Sequence, residues 1–153
     1  MNFQNQQSCI YQDLCSGCQF LGHTLEQQKR HKIRELQDQA QARQVKVPEV
    51  EFISPGDFQL RDRLDFTLNE GRWGLLDTNR KAIVDIAQCG QLSPALQNFY
   101  QEFRQIRWPI KKGSFRLRVG PQGQRGAWLD FANVDIKNLL ECRSELTELS
   151  RFA

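Results

Sequence analysis

From Leu60 to Leu68 the chain alternates, with Leu60, Leu64, Phe66 and Leu68 on one side and Arg61, Arg63, Asp65 and Thr67 on the other. A period of two predicts a half-buried strand, with Asp62 the odd member of the apolar side. Asn69-Glu70-Gly71 is a hairpin signal leading into a second strand over 72–76. Asp77-Thr78-Asn79 turns the chain into a third strand over 81–86, and Val50–Ser54 reads as a short strand closed by a Pro55-Gly56-Asp57 turn. The period then changes. Ser93-Pro94 is a helix start, with serine as N-cap and proline at the first helical position. Leu96, Phe99, Tyr100, Phe103 and Ile106 form one stripe on this helix, which runs to about Arg107 and should lie on the sheet. Phe115, Leu117 and Val119 alternate with Arg116 and Arg118 in a further strand. The Gly120–Gly126 loop joins it to a strand over 127–132, and a final helix is expected from Val134 to about Leu149.

Upstream the pattern is thinner. Thr24 and Gln27 have the spacing of a capping box, and a Gln- and Lys/Arg-rich helix follows to about Arg43. Its apolar positions, Leu25, Ile33, Leu36 and Ala40, are too few for a core face, so it should be exposed or face a charged partner. The residues before it show no period. The order of elements predicts an α+β fold, a mostly antiparallel sheet with flanking helices, preceded by a cysteine-rich loop and a polar helix. The expected division is 1–47 for loop and polar helix and 48–153 for the α+β domain.

Composition adds limits. No apolar run approaches the 18 residues or so that a membrane span needs, so a membrane partner is not expected. The polar start MNFQNQQSC lacks the apolar core of a secretory signal, which points to the cytoplasm and to reduced thiols. A net charge of +3 is too small to indicate nucleic acid by itself. Its distribution says more: Lys29, Arg30, Lys32 and Arg34 crowd one helix, and Arg61, Arg63, Arg116 and Arg118 recur on strands. Such groups can follow a phosphate backbone, although solvated faces account for any single one of them equally well. His23 and His31 read as surface positions. Trp73, Trp108 and Trp128 could stack on unpaired bases, with core packing the stronger reading for Trp73 and Trp128.

The cysteines carry the sharpest chemistry. Cys9, Cys15 and Cys18 form a C-x5-C-x2-C run, and Cys89 follows far downstream, just past a predicted core strand. Thiolates select zinc or an iron–sulfur cluster over hard cations. Zinc sites commonly use two close pairs, whereas here only Cys15 and Cys18 are paired so. The three-plus-one layout suits a [4Fe–4S] cluster better, with zinc and disulfides as the alternatives. The fifth cysteine, Cys142, sits in the final helical stretch without the surroundings of a nucleophile.

The string CIYQDLCSGCQF followed by EQQKRHK resembles the start of the bacterial 23S ribosomal RNA (uracil-5-)-methyltransferases. In that family a C-x5-C-G-G-C run is joined by a distant cysteine in a context like IVDIAQCGQLSP, where Cys89 holds the matching place. Ser54-Pro55, Leu60-Arg61-Asp62-Arg63 and Trp73-Gly74-Leu75 stand where the family has a Ser-Pro turn and two characteristic strands. The resemblance covers roughly residues 9–132. It implies a [4Fe–4S] cluster on Cys9, Cys15, Cys18 and Cys89, in a region that recognises folded ribosomal RNA rather than DNA. It departs at Ser16 (family Gly), Leu60 (aromatic) and Asp62 (Asn), and an acid at 62 would weaken phosphate contact. The family's S-adenosylmethionine-binding domain, cysteine nucleophile and general base have no counterpart, since Gly120, Gly123 and Gly126 join two strands instead of opening a helix. The expectation is therefore the cluster-bearing, RNA-recognising part of such an enzyme, inactive alone. The rivals are a stand-alone zinc RNA-binding module and a redox-sensing cluster protein.

Overall fold

The computed structural model describes residues 9–106, 108, 111–131, 143, 144 and 147. Within them lie helix α1 (Leu25–Ala42), strands β1 (Arg63–Asn69), β2 (Arg72–Leu76) and β3 (Ile83–Asp85), helix α2 (Pro94–Gln105), and strands β4 (Lys112–Val119) and β5 (Arg125–Asp130). The strands form one antiparallel sheet in the order β3-β2-β1-β4-β5. This is the expected α+β fold. The predicted final helix falls outside the described residues except for Arg143, Ser144 and Thr147, which are helical. Cys142 also lies outside them.

Local chemistry explains most boundaries. Both halves of the α1 capping box form, with the Gln27 N–H donating to Thr24 Oγ1 at 3.2 Å and the Thr24 N–H to Gln27 Oε1 at 2.8 Å. No α1 residue is buried. Glu70 and Gly71 both take positive φ, 49° and 80°, which is the two-residue reverse turn that matches strand twist between β1 and β2. Ser93 caps α2 through the Leu96 N–H at 3.3 Å, and Pro94 opens it.

Three expectations are corrected. Val50–Ser54 forms no strand; the sheet gives it no partner, and Ile53 is left 81% exposed. The first long strand starts at Arg63, because residues 59–61 pair elsewhere. Gln59 N–H donates to the Gly90 carbonyl at 2.9 Å, Arg61 N–H to Gln91 at 2.8 Å, and Ser93 N–H to Arg61 at 2.9 Å. Leu60 is accordingly exposed, and Asp62 is no member of the apolar face. β5 runs two residues earlier than expected, since the Gly120 N–H closes on the Gln124 carbonyl at 2.7 Å and shortens the loop.

The core lies between α2 and one sheet face. Leu96, Phe99, Tyr100 and Phe103 of α2 meet Leu64, Phe66, Leu68, Trp73, Phe115 and Leu117. Trp73 and Phe103 both pack on Phe115, at ring-centroid distances of 4.9 and 5.2 Å. Each buried large side chain contributes about 1.5–3 kcal/mol, so these rings dominate the stability. Tyr100 donates its hydroxyl to the Ile86 carbonyl at 2.7 Å, and burial pushes that hydroxyl up to about 12. Asp85 receives Arg104 at 2.9 and 3.0 Å and the Trp73 N–H at 2.8 Å, tying β3 to α2 and β2.

Candidate functional site

The chain around Cys9–Cys18 turns repeatedly and docks on the end of β2. Cys15 N–H donates to Tyr11 carbonyl at 2.7 Å, and Cys15 forms a bridge with Asp77. Ser16 bonds the Leu76 carbonyl through its N–H at 3.3 Å and through its hydroxyl at 2.8 Å. Thr78 N–H returns a bond to Leu14 at 2.9 Å. Tyr11 reaches further, its hydroxyl accepting the Ala87 N–H at 3.0 Å. Gly17 packs closely here: a Cβ would meet Leu75 Cδ1 at 2.6 Å, so the leucine side chain would have to shift.

Cys89 comes from a separate loop. The loop that bears it follows β3 and is pinned to residues 59–61 by the pairings above. Gln97 of α2 accepts the Cys89 N–H at 3.1 Å. The same side chain leaves Nε2, a buried donor, without a hydrogen-bond partner. All four cysteines are free thiols of intermediate exposure. Cys15, Cys18 and Cys89 line one groove of about 570 Å³, which continues past Arg61 to Arg63 and Asp65.

The thiols sense one another. Burial raises Cys18 most, with Cys89, Cys15 and Cys9 adding to the rise and the Arg61 guanidinium opposing it. Burial likewise raises Cys89; the Gln91 N–H and Arg61 pull it down, and Cys9 and Cys15 push it up again. Cys89, Cys15 and Cys9 thus each act on Cys18, and Cys9 and Cys15 on Cys89, less strongly than burial does. Among the described residues, however, no three His, Cys, Asp or Glu side chains converge on a position for a single metal ion.

The basic candidates divide into three groups. Arg61 faces the cysteine groove. Arg63 and Arg116 both donate Nε to Asp65, whose carboxylate joins them across β1 and β4. Partial burial acts to raise the Asp65 carboxyl, but the two arginine bonds outweigh it and hold it below the usual carboxylate range. Arg118 lies opposite Arg63 and stacks on Trp128, 5.8 Å from the ring centroid. The remaining four are on α1. Lys32 lies over Phe20 and Phe52 at 5.9 and 5.8 Å, and Arg30 is 4.0 Å from Glu26. Lys29 is partly buried and Arg34 exposed.

Of the tryptophans, Trp73 is in the core, as expected. Trp108 covers its edge, donating Nε1 to the Phe103 carbonyl at 3.2 Å. Trp128 is not in the core but 55% exposed, on the sheet face away from α2. The signal was present, since a period of two sets Trp128 with Asp130, against Leu129 on the inner side. Asp65 and Gln97 are the residues that linear reading missed; each acts through a partner 51 or 8 residues away.

No protein-family model matches the chain. It is 51% identical, over 95% of its length, to a protein of Bdellovibrio bacteriovorus named an uncharacterized RNA methyltransferase. It is 32% identical, over 72% of its length, to a protein of Thermotoga maritima with the same description. The chain spans 38% and 28% of the length of these two relatives. No helix among the described residues is long and apolar enough to cross a membrane.

Proposed function

We propose that this chain is the cluster-bearing, RNA-recognising part of an S-adenosylmethionine-dependent RNA methyltransferase, acting on a uracil C5 of 23S ribosomal RNA in the cytoplasm. The observation that carries the reading is the 51% identity over nearly the whole chain to a protein named an RNA methyltransferase. Methyl transfer itself would belong to a further S-adenosylmethionine-binding domain, and residues 1–153 would not methylate RNA alone. Their work is to hold and present the substrate.

The donor set fits a [4Fe–4S] cluster on Cys9, Cys15, Cys18 and Cys89. Four thiols share one electrostatic neighbourhood, a cation stands beside them at Arg61, and the buried Gln97 Nε2 donor lies in the side chain that holds the Cys89 N–H. Hydrogen-bond donors and charge around the sulfurs are the usual means of stabilising such a centre. The three-plus-one spacing suits a cluster better than zinc, since the corners of a cube are farther apart than the ligands of one ion. When bound, the cluster would lock the N-terminal turns to the Cys89 loop and take no part in the chemistry. Arg61, Arg63, Arg116, Arg118 and the Lys29, Arg30, Lys32 and Arg34 face would contact phosphates.

Anaerobically purified protein should be brown, with a broad band near 400 nm and about four irons per chain. One tightly held zinc and no colour would support the zinc-module reading instead. Cys89→Ser should release the iron; unchanged iron content would refute the three-plus-one ligand set. Affinity for ribosomal RNA fragments should fall steeply as salt rises, and a flat dependence would count against phosphate contact.

A further inference from the structure

The outer sheet face carries an aromatic surface that the phosphate contacts leave unexplained. Strand register places Trp128 of β5 directly opposite Arg116 of β4, which is itself opposite Asp65 of β1. The adjacent row is Gly126, Arg118 and Arg63. Trp128 therefore belongs to an array of three arginines on a solvent-facing sheet. Its benzo ring lies over Gly126, where a Cβ would come within 2.9 Å of it. The Arg118 guanidinium sits 5.8 Å from the ring centroid. Glycine beneath the benzo ring and the Arg118 guanidinium over the indole hold it, yet the residue remains 55% exposed. A large apolar ring held open to water beside arginines is chemically matched by a nucleobase. Every nucleobase offers a flat π surface, and its flanking phosphates suit the arginines.

We propose that Trp128 is a stacking platform for an unpaired base of RNA, with Arg118 fixing the indole and Arg116 taking an adjoining phosphate. This rests on the RNA-recognition reading and adds to it the class of RNA: single-stranded or unstacked nucleotides, because a paired and stacked base cannot offer its face. Gly126 is a positioning residue. Any side chain there would push the indole off the sheet.

The test uses the whole chain, a fluorescein-labelled ten-nucleotide oligouridylate and an RNA duplex of the same length. Trp128→Ala should weaken oligouridylate binding about tenfold, with duplex binding within about twofold and the slope of log K against log salt unchanged. Trp128→Phe should retain most of the affinity, and Gly126→Val should lose it although Trp128 is still present, because the indole is displaced. Oligouridylate should quench tryptophan emission in the wild type and not in Trp128→Phe. Oligouridylate affinity within about twofold of wild type for Trp128→Ala, with wild-type binding still salt-dependent, would overturn the platform and leave phosphate contact standing. Absence of RNA binding by the wild type would overturn both. If Trp128→Ala instead turns a dimer into a monomer without changing RNA affinity, the face belongs to a second copy and the platform is overturned.

Discussion

Asp65 decides how much of the basic surface is available. It neutralises Arg63 and Arg116, leaving Arg118 and Arg61 with no ion pair among the described residues. A carboxylate between two guanidiniums occupies the place a phosphate would take, so RNA must displace it. Asp65→Asn should therefore raise affinity for single-stranded RNA about three- to tenfold at low salt and steepen the salt dependence, as measured by anisotropy titrations. The cost in stability should be within about 1 kcal/mol, because exposed ion pairs contribute little. Lower affinity in Asp65→Asn would mean that the carboxylate organises the arginines for binding instead of competing with it.

At the scale of elements, the two helices contrast. α1 has 18 residues and buries none, while α2 has 12 and buries four. Phe103→Ala in α2 should destabilise by about 3–5 kcal/mol, and Leu36→Ala in α1 by no more than about 0.5 kcal/mol, in urea denaturation. Equal effects would show that α1 packs on something in solution. The tie between β3 and α2 gives the fold an acid limit. Burial works to raise the Asp85 carboxyl, but Arg104 and the Trp73 N–H hold it below the usual range. A carboxyl with a depressed folded-state pKa stabilises the fold above its unfolded value of about 3.9, and that stability goes as pH falls through the folded one. The melting temperature should thus be level above about pH 5 and fall below about pH 4. Asp85→Asn should cost about 1 kcal/mol at neutral pH and flatten the acid limb, since the side chain is 43% exposed and partly screened. An unchanged limb would assign the acid loss to other carboxylates.

At the scale of the molecule, the cysteine turns and the sheet are joined by backbone pairing at β2 and by Tyr11, with Gly17 seated against Leu75. Gly17→Val should pry the turns off without unfolding the core. Hydrogen exchange at Ser16 and Thr78 should rise while Phe99 and Phe103 amides stay protected, and any bound iron should fall. Loss of protection throughout would show that loop and sheet unfold as one cooperative unit.

The chain's own pattern was enough for the α+β class, the capping box, the β1–β2 hairpin and the helix that covers the sheet, because each depends on neighbours within a few residues. The three-plus-one cysteines were equally legible as a spacing. Tertiary structure decided what distance along the chain conceals. Residues 59–61 pair with the Cys89 loop and so shorten β1, and Val50–Ser54 finds no strand partner. Arg61 turns to the thiols, while Arg63 and Arg116 are captured by one carboxylate. Trp128 leaves the core for the open face, since register set it beside Arg116 and over Gly126. Local propensity fixes the elements; partners far along the chain fix which side chains remain free to bind.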